Sequence, residues 1–443
     1  MDKSSKPVKP LSRLASIDRR LGATENIYYL LDKLYCLNFV VFAEITGKLE
    51  LEQINQALSV VQREQPLLRA HISLVDGRHW FKAASRCPIQ AEAGPLKDWR
   101  ATLGAEYGRP FADKAPLARF LWLRGSGKKS VAAMVFHHSI ADGKSGTNIL
   151  LEVLRRAGGE ALPLRYQDAH PAAQDLDLIQ QKGALEGSLQ KLKYWLAQGK
   201  SVLKFAQQLP GYDAGVTSKQ NIKVIPFGLP AAAAKRLLTN CRANGTTVHG
   251  AIGAAQVLAI NDEFDMAEAR MLALNSLADL RSVLQGNLTE HDLGLYIATL
   301  TTVHAIEAEP DFWRLAIDIR GQLKAILNSG DGDLVHSIYR KNTLFPANKT
   351  GAKMVQTLVA LAPPASMLTN IGRVDQLTLA NGATIDSVAF GVSPPAQNPV
   401  CVTATSYADR MYLNLLYDQH KVTATQARRV VKSMLGYLAA AAA

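Results

Sequence analysis

The chain has 443 residues, a mass of 48.1 kDa and hydrophobic residues at 48% of its positions. This length suits two domains better than one core, and the composition excludes a disordered or fibrous protein. A net charge of +12 favours an anionic partner: a coenzyme A phosphate, an acidic carrier protein, lipid head groups or nucleic acid.

The cysteines and the absence of apolar segments narrow the class of protein and of partner further. The four cysteines form no CxxC pair, which argues against a disulfide framework or zinc knuckle and is typical of a reducing compartment. Neither a membrane-spanning run nor a signal-peptide core is present, so we expect a cytoplasmic protein. Because no nucleic-acid motif accompanies the positive charge, nucleic acid is not an expected partner.

The first half begins with a Lys/Pro/Ser-rich stretch, residues 1–12, that predicts a flexible arm. A strand, an amphipathic helix and a second strand are then predicted over 35–46, 51–63 and 67–74. The apolar run 131–136 predicts a buried strand, and the sequence HHSIADG follows it directly at 137–143. A loop is predicted over 144–146, with an apolar helix from near Thr147.

Proline and glycine punctuate the region between the halves, and we interpret 176–220 as a crossover linker. Within it, residues 189–205 predict a helix that interleaves lysines with Trp195 and Phe205. Such a helix is compatible with peripheral contact with a membrane or docking of an acidic carrier protein. The same pattern is common in a surface helix that packs its apolar stripe and solvates its lysines.

The second half again mixes strands and helices, which gives an α/β fold class. Predicted strands lie at 222–227, 271–277, 293–303, 385–392, 400–406 and 410–417, the last two joined by a turn at Ala408-Asp409. Predicted helices lie at 230–240, 248–260, 311–327, 352–361 and 422–440. His249 and His304 lie on these elements and are expected to be packing residues.

The HHSIADG segment carries the strongest functional signal. Successive residues at a strand end point to opposite faces, so one histidine ring can reach a cavity while the other packs inward. Imidazole takes up a proton near neutral pH, which makes either ring a candidate base. The residues alone do not separate His137 from His138, and a structural pair followed by an ordinary Asp-Gly turn is the alternative. Gly143 is expected to allow close approach to a substrate or a positive φ.

No His, Asp or Glu cluster has metal-ligand spacing, so no metal is predicted.

HHxxxDG is the signature of the thioester-dependent acyltransferases that share the chloramphenicol acetyltransferase fold. These include condensation domains of nonribosomal peptide synthetases, polyketide-associated acyltransferases and wax ester synthases. The sequence resembles a free-standing member over nearly its whole length. The resemblance implies α+β two-layer sandwiches in two similar subdomains, 13–175 and 221–443, that meet at an active-site tunnel.

The resemblance also implies roles for individual residues. His138 would be the general base and His137 a supporting residue, with no protein nucleophile, and the sequence has no GxSxG elbow. Asp142 would form a structural salt bridge, for which Arg281 is the candidate partner; an ordinary surface arginine is the alternative. Segment 366–372 resembles the family's SNxG strand, which would place Thr369 and Asn370 beside the tunnel as candidate oxyanion residues, although Thr369 stands where the family more often has serine.

The lead hypothesis is therefore an acyltransferase that uses acyl-CoA or an acyl-carrier protein arriving in trans. An alcohol would give an ester and an amine an amide, with no permanently bound cofactor, and a monomer is expected. The competing hypothesis is a catalytically silent condensation-like domain that recruits a carrier protein or partner enzyme. The intact HHxxxDG motif argues against this second hypothesis.

Overall fold

The computed structural model describes residues 17–84, 88–165, 170–176, 212, 220–264, 270–282, 284, 288–328, 345–361 and 365–443. The predicted arm 1–12, the basic segment 189–205 and nearly all of the predicted crossover lie outside these residues. In the described part of the chain, no helix has both the length and the apolar character needed to cross a membrane.

A five-stranded sheet forms the body of the first half. Its strand order is β12 (Thr384–Val392), β2 (Asn38–Thr46), β7 (Lys129–His137), β6 (Ala118–Arg124) and β5 (Ala91–Pro95). Strand β7 is buried from Ser130 to His137 on both faces, which explains its continuous apolar run. Strand β12 comes from the second half of the chain and pairs antiparallel with β2. The sheet therefore joins the two halves, while the boundary between the predicted subdomains stays a prediction.

A six-stranded sheet forms the body of the second half. Its strand order is β10 (Ile297–Ile306), β9 (Arg270–Asp279), β11 (Ala365–Val374), β13 (Cys401–Tyr407), β14 (Arg410–Asp418) and β8 (Ile222–Leu229). Strand β11 is parallel to both β9 and β13, whereas the other neighbours are antiparallel. Because β9 and β11 are parallel, their carboxyl ends lie at the same edge of the sheet.

A small antiparallel sheet flanks the first half. Its order is β1 (Asp18–Arg20), β4 (Arg78–Ala83) and β3 (Ala70–Val75). A tight turn at Asp76-Gly77, both with positive φ, joins β3 to β4.

Helices cover the sheets. The described residues form α1 (Ala23–Tyr35), α2 (Leu51–Glu64), α3 (Trp99–Glu106), α4 (Gly143–Ala157), α5 (Ala231–Ala243), α6 (Val248–Glu263), α7 (Phe312–Asn328), α8 (Lys349–Leu361) and α9 (Ala424–Ala441). Helices α2 and α4 pack together beside the five-stranded sheet, and α6 packs between α7 and α9. Helix α6 is buried continuously from Gly250 to Ile260, as expected for a helix that is apolar on all sides. Helices α1 and α8 contact each other across the two halves.

The mixed α/β character and many predicted elements are confirmed. The hairpin predicted at Ala408-Asp409 is present between β13 and β14, and both residues have positive φ, as in a type I′ turn. Helix α6 begins after Thr247, whose side chain accepts a hydrogen bond from the Gly250 N–H.

Several local predictions are wrong, among them the strand predicted from residue 293, which begins at Ile297. The strand predicted from residue 35 begins at Asn38, because residues 23–35 form helix α1, which was not predicted. The segment predicted as a strand from residue 67 begins with a 3₁₀ turn, Pro66–Arg69. The loop predicted over 144–146 is the first turn of α4, because Asp142 caps the helix and α4 begins at Gly143, four residues before Thr147.

Candidate active site

His138 lies just beyond the end of β7, in the turn that leads into α4. Its Nδ1 atom is 3.0 Å from the carbonyl oxygen of Ala141, and a carbonyl only accepts hydrogen bonds. Nδ1 therefore carries the proton, and Nε2 keeps the lone pair. The ring packs against Tyr28 and Phe39, with centroid distances of 4.7 and 4.9 Å. These contacts fix both the tautomer and the orientation of the imidazole.

The protonation state of His138 follows from its surroundings. Burial lowers the pKa of His138 to about 4, although the hydrogen bond to Ala141 and the charge of Asp142 act in the opposite direction. The ring is consequently neutral at pH 7, and its lone pair is free to accept a proton.

His137 has a different environment. Its Nδ1 accepts a hydrogen bond from the Ser139 N–H at 3.1 Å, and its Nε2 lies 3.3 Å from Asp32 Oδ2. Burial alone raises the pKa of Asp32, but contact with His137 and the Leu37 N–H brings that pKa below its usual value. His137 does not line the cavity beside His138, so the structure separates the two rings and places His137 in a buried acid–imidazole pair.

Asp142 is fully buried, and both of its oxygens have protein partners. Oδ1 accepts a hydrogen bond from the Ser145 N–H at 2.9 Å, which caps α4. Oδ2 accepts one from Tyr296 N at 3.1 Å and pairs with Arg281 Nη2 at 2.9 Å. The side chains of Asp142 and Arg281 are 1% and 5% exposed, so the surface-arginine alternative for Arg281 is wrong. This ion pair ties the histidine turn to the second half.

Arg281 is held on several sides. Its Nη1 bonds Asp279 Oδ1 at 3.0 Å, and its Nε donates to the Thr289 carbonyl. Burial lowers the pKa of Arg281, but the carboxylates of Asp142 and Asp279 outweigh burial and raise it above its usual value. The guanidinium is therefore a permanent cation at the wall of the site.

A cavity of about 300 Å³ lies beside His138, between the halves. The first half contributes His138, Asp142, Gly143 and Lys144 to its wall, and the second half contributes residues of α6, β9, β11 and β12. The parallel arrangement of β9 and β11 explains why the ends of both strands reach it.

Gly143 is the first residue of α4 and lines this cavity. Its φ is not positive, so that part of the expectation is wrong. A Cβ at this position would lie 3.1 Å from Ile371 Cγ2 and 3.2 Å from Phe390 Cε2. The glycine therefore permits α4 to approach β11 and β12 closely.

Thr369 and Asn370 lie on β11 and line the same cavity. Asn370 Oδ1 accepts a hydrogen bond from the Gly372 N–H at 2.8 Å, next to a register shift in the pairing with β13. This bond fixes the amide so that its NH₂ group remains the donor.

His249 is a cavity residue that the sequence did not identify. It lies in the first turn of α6, its Nε2 is 2.9 Å from Ser276 Oγ, and its ring lines the cavity. Burial lowers the pKa of His249 to about 4. His304 is buried between Thr302 and Asp318, as expected of a packing residue, whereas His249 is bonded in the interior and also lines the cavity. Helical periodicity could not show which end of the apolar helix α6 faces a cavity.

Within the described ranges, no group of three His, Cys, Asp or Glu side chains is arranged to hold a metal ion.

Comparisons with known proteins agree with this architecture. Residues 219–417 match the family described as "Phthiocerol/phthiodiolone dimycocerosyl transferase C-terminus". Over 272 residues, or 59% of its length, the chain is 24% identical to surfactin synthase subunit 1 of Bacillus subtilis (strain 168). The match spans only 7% of that protein's length.

Solved structures share the fold over nearly the whole chain. Polyketide synthase associated protein 5 from Mycobacterium tuberculosis is 15% identical with a TM-score of 0.68, covering 97% of this chain and 99% of that one. A trichothecene 15-O-acetyltransferase from Fusarium sporotrichioides is 13% identical with a TM-score of 0.74, covering 99% and 100%. The first condensation domain of the calcium-dependent antibiotic synthetase is 14% identical with a TM-score of 0.68, covering 97% of each chain.

The buried ion pair generates a stability prediction. Replacing Asp142 by Asn keeps the side-chain shape but leaves Arg281 without its most deeply buried counter-charge. We expect the free energy of unfolding to fall by about 3 kcal/mol, as for other broken buried pairs. The free energy of unfolding in urea is measured for D142N and for the control D279N. Asp279 contacts the same arginine, but its side chain is 34% exposed. A loss in D142N no larger than that in D279N would contradict the structural role of Asp142.

The buried histidines generate a pH prediction. The pKa of His249 is about 4 in the folded state and about 6.5 in the unfolded chain, so the unfolded chain binds more protons between these values. Stability is therefore complete above about pH 6.5 and declines as pH falls toward 4. We expect His249→Leu to reduce the decline between pH 7 and pH 5 by about 1–2 kcal/mol in urea unfolding. His420 is exposed, so His420→Ala is the control and should leave the dependence of unfolding free energy on pH as it is in the parent chain. If H249L also showed the parent's pH dependence, His249 would not be a buried neutral group.

Proposed function

We propose that this chain moves an acyl group from a thioester to an alcohol or amine, with His138 as general base. The family match over residues 219–417 and the fold shared with an acetyltransferase and a condensation domain support the proposal. The donor would be an acyl-CoA or an acyl-carrier protein. The observation that carries the proposal is the Nε2 lone pair of a neutral, fixed imidazole beside a cavity between the two halves.

In the proposed reaction, the acceptor oxygen or nitrogen attacks the thioester carbonyl while Nε2 of His138 takes its proton. A new C–O or C–N bond forms, and the C–S bond then breaks. The proton passes from His138 to the departing thiolate, so the ring returns to its neutral form. A positioned base of this kind contributes a rate factor of about 10²–10⁴.

The chemistry of the three cysteines that the structure describes supports direct transfer instead of a covalent acyl-enzyme. Burial raises the pKa of Cys36 to about 12 and that of Cys241 to about 11, and it also raises the pKa of Cys401. The thiolate, which is the nucleophilic form, is therefore scarce at these three positions at pH 7. The thioester is already activated, so the proposed mechanism needs no protein nucleophile.

Stabilisation of the tetrahedral oxyanion is assigned to the wall formed by β11. The Asn370 amide NH₂ and the Thr369 hydroxyl are donors on that wall. Donors held in place before the reaction stabilise developing charge without reorganisation. Their contribution is part of the proposal, as is the supporting role of His137.

A catalytically silent, partner-recruiting domain is the competing function. Such a domain has no need of a cavity that reaches the histidine lone pair. A panel of acyl-CoA thioesters and small alcohols and amines, assayed for thiol release, distinguishes the two. Absence of turnover with every pair, including carrier-bound donors, would favour the silent domain.

His138→Ala is the direct test of the base. We expect kcat to fall at least 100-fold, because the proton acceptor is lost, while the melting temperature stays close to that of the parent chain. His420→Ala is the matched control, since this ring is exposed and does not line the cavity. Full activity in H138A would exclude His138 as the base.

The dependence of kcat/KM on pH below neutrality is an independent test of His138 as the base. With an alcohol acceptor, kcat/KM should be constant from pH 8 to about pH 5.5 and should fall below pH 5, because His138 becomes protonated as the pH passes its pKa of about 4. Circular dichroism at each pH identifies any loss that comes from unfolding. A limb centred between pH 6 and 7 would contradict a buried, desolvated base.

A further inference from the structure

The first turn of α6 carries a second histidine that faces the cavity at His138. His249 is the second residue of this helix, and its ring lines the cavity from the second half, whereas His138 lines it from the first. Its Nε2 atom is 2.9 Å from Ser276 Oγ on β9. Its Nδ1 atom has no hydrogen-bond partner among the described residues and is accessible, so Nδ1 is the ring nitrogen that faces the cavity.

The bond to Ser276 decides which nitrogen of His249 carries the proton. The Ser276 side chain is buried, and within the described part of the chain its hydroxyl has no acceptor other than His249 Nε2. A buried hydroxyl whose hydrogen has no acceptor is destabilising. The hydroxyl therefore donates to Nε2, which places the ring proton on Nδ1. His249 consequently presents an N–H donor to the cavity.

The position of His249 keeps this imidazole neutral. Burial lowers the pKa of His249 to about 4, so the ring carries one proton at pH 7. The ring also lies at the N-terminal end of α6, where the partial positive charge of the helix favours negative charge nearby and disfavours a second proton. A neutral imidazole in such a position can polarise a carbonyl oxygen by donating a hydrogen bond, without transferring its proton.

The Asn370 amide lies on the same side of the six-stranded sheet. Ser276 on β9 is directly opposite Leu368 on β11, and Leu368 packs in the core that α6 covers. Side chains alternate along a strand, so Asn370, two residues after Leu368, points to the same face. Asn370 lines the cavity, and its NH₂ group is a donor. A helix and a strand therefore each bring one neutral donor to this side of the cavity.

We infer that His249 is a second catalytic histidine, whose Nδ1–H donates a hydrogen bond, together with the Asn370 amide, to the thioester carbonyl oxygen as it becomes the tetrahedral oxyanion. This inference rests on the proposed acyl transfer. His249 keeps its proton throughout, while the proton of the acceptor passes to His138 Nε2 and then to the departing thiolate. The two histidines differ in tautomer, because His138 presents a lone pair and His249 presents an N–H.

His249→Gln and His249→Asn separate a catalytic role from a structural one. The Gln amide reaches the position of Nε2 and can keep the bond to Ser276, but it leaves no donor where Nδ1 was. The Asn amide ends near the position of Nδ1 and restores a donor to the cavity. We expect kcat to fall about 100-fold in H249Q, with KM for the thioester within about threefold of the parent value. In H249N we expect kcat to stay within about tenfold of the parent value.

The pH dependence of H249Q is a readout that a structural defect would not reproduce. Its kcat/KM should be lower than that of the parent at every pH, with the decline below about pH 5 unchanged, because that decline belongs to His138. His420→Gln is the control and should keep the parent's kcat, since this ring is exposed and does not line the cavity. Parent-like kcat in H249Q, a loss confined to KM, or equal losses in H249Q and H249N would overturn the inference.

Nuclear magnetic resonance of the parent chain, labelled with ¹⁵N-histidine, tests the tautomer without any turnover. The signals of His249 are those that disappear in H249Q. We expect Nδ1 to be protonated and Nε2 unprotonated from pH 8 to about pH 5.5, because the pKa of this ring is about 4. A proton on Nε2, or a ring that titrates near pH 6.5, would overturn the inference even if H249Q lost activity.

The proposed acyl transfer and the role of His249 fail in different ways. If the parent chain releases no thiol from any donor, the acyl transfer fails, whatever the tautomer of His249. If H138A is inactive while H249Q keeps the parent's kcat, the acyl transfer stands and only the role of His249 fails.

Discussion

The ion pair between Asp142 and Arg281 is the interaction on which the site depends. One oxygen of Asp142 caps α4 in the first half, and the other bonds Arg281 and Tyr296 in the second half. Removing two charges from water is costly unless each is fully paired, so the arrangement is stable only when the halves are docked. The turn that holds His138 is thereby shaped by residues about 140 to 155 positions later in the chain.

Burial has two opposing consequences for the proposed base. The sheet edge and the rings of Tyr28 and Phe39 hold the imidazole of His138 in one orientation, but the same burial lowers its pKa to about 4. A base of low pKa is always available at neutral pH, yet it has a small driving force for taking a proton. The proposed reaction must therefore draw on orientation of the acceptor and on the exclusion of water by the bound substrates.

Much of the fold and part of the site could be predicted from the sequence, because local patterns encode them. The apolar run before HHSIADG predicts β7, and the Ala408-Asp409 break between two strand-like runs predicts the final hairpin. Which strands pair with each other, and which side chains reach the site, depends on contacts between residues far apart in the sequence. Nothing in the alternation of β12 indicates that it leaves its own half to pair with β2, and nothing in α6 indicates that His249 reaches the cavity. The same holds for Asp142. One oxygen of its side chain caps α4 within the local sequence, but the other pairs with Arg281, which is distant in the sequence.

Helix α1, which the sequence patterns did not predict, connects several of these features. Its residues pack on both histidines of the motif, with Tyr28 against His138 and Tyr29 at 5.7 Å from His137. It also packs on α8, so it contacts both halves at once. A helix in this position is sensitive to any change in the spacing of the halves, because close-packed interiors transmit displacement.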